Sequence, residues 1–246
     1  MFKRTILTIT AFLALTAGSA LADSPVKGPF AGTVHAVGNI TYRDASQQTW
    51  NWDRGRITAL DSSSITLTRR DRVQVTFAIT ATTLVRNDGA TYGLADLKVG
   101  LAATVISQNG NAVLIRNIRG DGAPGGADQS AIEGPGAKAV TGTIDALYVD
   151  GSTQSFDFNR GRITAVGEGT LSIKRADGQT VDFTDDASTL VKCRGEFGSL
   201  ADLKVGMGAT FFSQSGALKL VRCPVQPKRT HPPTGPRASA AAPAAA

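Results

Sequence analysis

Histidine and cysteine are almost absent from this chain, with two of each among 246 residues, and tryptophan and methionine are equally sparse. So few imidazoles and thiols remove most metal-ligand sets and most nucleophile–base pairs before any motif is sought. No C-x-x-C spacing occurs, so neither a metal site nor a cofactor is expected. After the first two dozen residues no apolar run approaches the roughly 20 residues that a membrane-spanning helix needs. Charge of one sign is also scarce. The formal net charge is +6, or about +4 without Lys3 and Arg4, which is too weak a footprint for nucleic acid as the partner.

The first feature present is a leader. Lys3 and Arg4 precede the short apolar run "TILTITAFLALTAG", and Ala20-Leu21-Ala22 supplies a small-residue cleavage pattern. Residues 1–22 read as a signal peptide, so the mature chain is expected to be exported, either periplasmic or secreted. No cysteine follows the cleavage pattern to take a lipid anchor.

The second feature is internal repetition. Residues 54–117 align without a gap on 160–223, with 29 of 64 positions identical. Upstream, "GTVHAV" from Gly32 returns as "GTIDAL" from Gly142. The expected organisation is repeat 1 over 32–119, a Gly/Pro-rich flexible linker over 120–139, repeat 2 over 140–224 and a Pro/Ala-rich disordered tail over 225–246.

Each copy alternates polar and apolar residues with the period of a strand, as in "RITAL", "SITLTRR" and "RVQVTFAI". "GLADLKVG" and "SLADLKVG" follow, where leucines spaced i,i+3 before a glycine predict one helical turn. Two more strands close each copy, and a hairpin precedes it. That order predicts an all-β chain of two tandem small OB-like β-barrels, each with one short helical turn and an added N-terminal hairpin. An SH3-like barrel and a small sandwich are the alternatives. The blocks "GRITAV", "TLSIKR", "TVDFTDDASTLV", "SLADLKVGMGATFF" and "LKLVRC" resemble the exported bacterial domain-of-unknown-function family 5666. The resemblance implies an OB-like fold and, because that family has no assigned activity, no catalytic residue.

Cys193 and Cys223 each end a strand, and the first copy has Asn87 and Asn117 at the matching positions. Both positions change together, as cross-strand neighbours would, which predicts a Cys193–Cys223 disulfide in an oxidising compartment. Catalysis finds little support. His35 is replaced by Asp145 in the other copy, His231 lies in the tail, and no pair of carboxylates converges. The chain is therefore read as a non-enzyme, with a hydrolase site between the barrels, drawing on His35, as the remote alternative.

Arginines and aromatics remain. "WNWDRGRITAL" from Trp50 returns as "FDFNRGRITAV" from Phe156. Arg54, Arg56 and Arg116 recur as Arg160, Arg162 and Arg222, as Lys98 does as Lys204. The candidate ligand-binding residues are Trp50, Trp52, Arg54, Arg56, Arg160 and Arg162, facing an anionic cell-envelope polymer or an envelope protein. A structural exported protein without a defined ligand is the rival. Strand parity separates the two: in an unbroken strand Trp50, Trp52, Arg54 and Arg56 share one face. A phase change at Gly55 would instead set Ile57 in line with the tryptophans and turn Arg56 outward. The apolar Ile57, Ala59 and Leu60 favour the phase change.

Overall fold

A computed structural model describes residues 28–87, 90–120, 138–185, 188–193 and 196–223. The expected signal peptide 1–22, residues 121–137 of the linker and the tail 225–246 lie outside the described residues. The described chain is all-β. The first half holds β1 (Thr33–Tyr42), β2 (Gln47–Leu60), β3 (Ser64–Arg69), β4 (Gln74–Asn87), β5 (Ala90–Tyr92), β6 (Ala102–Gln108) and β7 (Asn111–Arg119). The second holds β8 (Ala139–Tyr148), β9 (Thr153–Gly167), β10 (Thr170–Arg175), β11 (Thr180–Thr184), β12 (Leu190–Cys193), β13 (Glu196–Gly198), β14 (Gly208–Gln214) and β15 (Ala217–Cys223). No helix among the described residues is long and apolar enough to cross a membrane.

Each half closes a circuit of strand pairings. In the first, β2 pairs β3, β3 pairs β4, β4 runs parallel to β7, β7 pairs β6, and β6 returns to β2. In the second the circuit runs β9–β10–β11–β15–β14–β9, with β12 lying parallel to β15. Alternation places Ile65 and Leu67 inside with Phe77, Val105 and Ile115, while Thr66 and Thr68 stay outside. Ile173, Phe183, Phe211 and Val221 fill the second interior. The predicted helical turns are 3₁₀ turns over Leu94–Asp96 and Leu200–Asp202. Asp96 accepts the backbone N–H of Gly93 at 2.8 Å, and Asp202 that of Ser199 at 2.7 Å, so each carboxylate caps its own turn. The leucine after each turn, Leu97 or Leu203, is buried in its circuit.

β2 departs from the sequence expectation. Its ladder with β6 runs from Asn51↔Ser107 to Arg56↔Ala102 without a slip, straight through Gly55. The slip in β2–β3 falls between Ile57 and Ala59, beyond the glycine. Trp50, Trp52, Arg54 and Arg56 therefore share one face, and Asp53, Gly55 and Ile57 the other. Gly55 has a different reason to be there. Along one edge β2 exchanges its partner β1 for β3 at this point, and a Cβ on Gly55 would stand 2.6 Å from the Thr68 carbonyl oxygen. Gly161 meets the Lys174 carbonyl at 2.7 Å in the same way. Close backbone approach, rather than a phase change, requires the glycine.

The two leading hairpins meet. β1 pairs antiparallel with β8, and Ala36 stands opposite Ala146, the same position in "GTVHAV" and "GTIDAL". The pairing therefore has local two-fold symmetry and joins both circuits into one sheet. Ile40, Trp50, Ile106 and Leu114 of the first half share a core with Ala139, Phe158, Phe212 and Leu220 of the second.

Polar groups inside are satisfied in parallel ways. Asp53, 2 % exposed, accepts from His35 Nδ1 at 2.9 Å and from Arg69 Nη1 at 3.0 Å. Its counterpart Asn159 accepts from Arg175 Nη1 and Thr141 Oγ1, both at 2.9 Å. Arg69 and Arg175 also grip Asp71 and Asp177 through two N–H groups each. At the far end, Asn87 donates to the Ile118 carbonyl at 3.1 Å and accepts the Ile118 N–H at 3.0 Å. At the equivalent place in the second half, Cys193 stands opposite Cys223 and is bonded to it as a disulfide. An amide clamp and a covalent bond thus close the same seam.

Three outcomes are expected. Reduction, or replacement of both Cys193 and Cys223 by Ser, lowers stability by about 3.5 kcal/mol, the chain-entropy value for a loop of this length, as read by denaturant unfolding with and without reductant. Asp53→Asn costs under about 1 kcal/mol because one amide oxygen still accepts both donors, whereas Asp53→Leu leaves Arg69 Nη1 and the His35 ring without their acceptor, though Arg69 keeps Asp71, and costs about 2 kcal/mol. The Arg69 and Arg175 hydrogen bonds hold the Asp71 and Asp177 carboxyls below their usual range. Their contribution is complete above the ordinary aspartate value of about 4 and is lost as pH falls through the depressed native values. The thermal midpoint should therefore drop in acid, and the drop should be shallower in Asp71→Asn with Asp177→Asn.

Candidate functional site

The unbroken face of β2 carries four of the six sequence candidates, and each has a distinct surrounding. Trp50 is buried in the core shared by the halves, and its indole Nε1 donates to Tyr42 Oη at 2.7 Å. Burial raises the Tyr42 pKa, and the Trp50 hydrogen bond partly offsets that. Trp52 is half-buried and lies over Gly38, where a Cβ would meet its ring at 2.5 Å. Phe158, the counterpart of Trp52, lies over Gly142 in the same manner. The aromatics are packing groups, each matched to a glycine or an interior partner.

Arg56 and Arg162 are exposed, yet each performs a local task. Arg56 Nη1 donates to the Gly100 carbonyl at 2.6 Å, and Arg162 Nη1 to the Gly206 carbonyl at 2.7 Å. Gly100 and Gly206 end the "LADLKVG" turns at φ +97° and +90°. These arginines latch the turns to the first circuit strand of each half.

Arg54 and Arg160 belong to a different arrangement. Arg54 stands opposite Thr104 on β6, and Thr104 stands opposite Arg116 on β7. In the second half Arg160 stands opposite Thr210 on β14, and Thr210 opposite Arg222 on β15, with Lys192 of β12 beside Arg222. Directly opposed residues share a face, so each half carries a row reading Arg–Thr–Arg across three strands. Two residues along those strands lie Ile106 and Leu114, or Phe212 and Leu220, which form the core between the halves. The rows therefore continue that core as a polar margin.

Burial acts on the arginines of β7 and β15. Arg116 is half-buried, and its Nε atom is buried without a hydrogen-bond partner. Burial, then the charges of Arg222 and Arg54, push its guanidinium down to about 10. Arg222 is open to solvent along part of its surface, while the atoms crowded around the rest push its pKa down as well. Charges from both halves thus act on one half-buried guanidinium. Arg116 and Arg222 were visible in the sequence as retained residues, but only their placement between the halves marks them as part of a site.

Two other features are weaker. His35 is held by Asp53, a pairing across 18 residues that spacing did not reveal, and among the described residues no hydroxyl or thiol is bonded to its ring. The second half keeps neither member, having Asp145 and Asn159 instead. A cavity of about 160 Å³ lined by Val166, Thr170, Leu171, Asp185 and Leu200 is mostly apolar and includes none of the arginines. Among the described residues no group of three or more His, Cys, Asp or Glu could hold a metal ion.

No curated protein and no solved structure matches this chain. Residues 54–113, from Arg54 of β2 to Val113 of β7, match the model of a family described as a domain of unknown function, DUF5666, and over that segment the chain is similar to it.

Proposed function

We propose that this chain is an exported, non-enzymatic binding module made of two tandem OB-like barrels, and that it retains an anionic cell-envelope polymer or an acidic envelope protein. The observation that carries the reading is the pair of Arg–Thr–Arg rows at the margin between the halves, with the Nε of half-buried Arg116 buried and without a hydrogen-bond partner. A scaffold gains little from that group, since a buried donor left without an acceptor costs about 1–3 kcal/mol. An anion approaching the margin would offset that cost. The disulfide suits an oxidising compartment outside the cytoplasm, and the leader suits export to one. The ligand is then an envelope component rather than nucleic acid. The rival, a structural exported protein without a defined ligand, draws support from Arg56 and Arg162, whose hydrogen bonds serve the fold itself.

The mature protein should be retained on an anionic glycan or peptidoglycan fraction and released by salt, because exposed charge pairs are screened within about 10 Å at 0.1 M salt. Retention should be lost in Arg54→Ala with Arg160→Ala. The double variant Arg56→Ala with Arg162→Ala should instead keep most of its retention while unfolding at a lower temperature. Salt-independent behaviour on every envelope fraction would rule out the binding reading in favour of the structural one.

A further inference from the structure

The local two-fold symmetry of the β1–β8 pairing has a consequence for how many ligands the chain can hold. Tandem binding domains on a linker would offer two equal and separate sites. Here both rows border one core: Arg116 stands two residues from Leu114 and Arg222 two residues from Leu220, which pack in the same cluster, and Arg116 feels the charges of Arg222 and Arg54. Charges from both halves therefore bear on one region. Arg54 and Arg116 are half-buried, whereas Arg222 and Arg160 open to solvent, so a ligand has a way in.

The chemistry of the occupant follows from the donors. Guanidinium groups offer planar forks of N–H donors suited to phosphate and carboxylate oxygens. A single carboxylate brings one negative charge and two oxygens in one plane. A phosphate group brings up to two charges and oxygens pointing in tetrahedral directions, which suits guanidinium groups arriving from β2, β7 and β15. The buried Nε of Arg116 supplies a donor that nothing in the described protein satisfies.

We propose that Arg54, Arg116 and Arg222 form one composite site, shared between the two halves, for a single phosphate-type oxyanion. The site rests on the anion-binding reading above and narrows it to one phosphate group per chain. That phosphate comes either from a free ion or from a phosphate-bearing polymer.

The test is calorimetric titration of the full mature chain, in phosphate-free low-salt buffer, with inorganic phosphate, a short polyphosphate and acetate in separate arms. Phosphate is expected to bind once per chain, and Arg116→Gln and Arg222→Gln should each weaken it by about 10- to 100-fold, the range for losing a charged hydrogen bond. Acetate should bind far more weakly. Binding of polyphosphate but not of phosphate would support the site with a polymer as its source. Thermal unfolding without ligand separates this role from a structural one: Arg116→Gln should melt at or above the wild-type temperature, since it removes a half-buried cation whose Nε has no hydrogen-bond partner. Two phosphates per chain, unchanged affinity in Arg116→Gln, tighter binding of acetate, no binding by either phosphate compound, or a lowered ligand-free midpoint in Arg116→Gln would each overturn the proposal. Envelope retention with two phosphates per chain would overturn the composite site alone. One phosphate per chain without retention on any fraction would overturn the envelope reading alone.

Discussion

The antiparallel pairing of β1 with β8 is the contact on which the remaining arrangement depends. Each circuit of strands has its own interior, but each also carries large apolar residues on its outside, Ile106 and Leu114 on one and Phe212 and Leu220 on the other. Left apart, the circuits would expose those side chains to water, at about 1.5–3 kcal/mol for each large apolar group. Pairing β1 with β8 sets the two outer faces against each other. Alanine on both sides of the centre, Ala36 and Ala146, leaves room for Phe156 to pack over it. Phe30 crosses from the first half to meet Phe156 and Phe212, with ring centroids 5.0 and 5.1 Å away.

The same constraint explains why the β2 stripe is split in use. A strand face continuous from Trp50 to Arg56 begins under the partner half and ends in solvent. Its first member can only be core, and its last is free to latch a turn. Arg54 lies at the transition, where packing stops and charge begins. The β9 stripe runs the same course from Phe156 to Arg162, so the exchange of tryptophan for phenylalanine falls where bulk matters, and the arginines persist where hydrogen bonding does.

Much of this could be read from the residues in order. Strand periodicity marked most of the circuit strands, the i,i+3 leucines marked the 3₁₀ turns, and the joint change of Asn87 and Asn117 to Cys193 and Cys223 marked the disulfide. These are local patterns or paired differences, and both survive in a linear string. The β1–β8 pairing does not, because nothing in "GTVHAV" distinguishes a strand that ends a sheet from one that meets its own counterpart. Gly55 misled for a related reason: a glycine demanded by close backbone approach and one demanded by a bulge look identical in sequence. Asp53 reads as one more polar residue on a strand until His35 and Arg69 are seen to converge on it.

The differences between the halves bear on which retained residues need an explanation beyond folding. Where a buried polar position serves the fold, the halves solve it differently: Asp53 against Asn159, or an Asn87 clamp against a Cys193–Cys223 bond. Folding accepts either solution. Gly55, Leu97 and Arg56 are the same in both halves for reasons that each circuit supplies by itself, namely close approach, filling of the interior and latching of a turn. The Arg–Thr–Arg row is also the same in both, and it lies where each circuit's outer face meets the core shared by the halves. Arg116 keeps a buried Nε without a hydrogen-bond partner two residues from Leu114 of the shared core. A row kept twice at the margin of the shared core, with the Nε of Arg116 buried and without a hydrogen-bond partner, is the feature on which the proposed anion site rests.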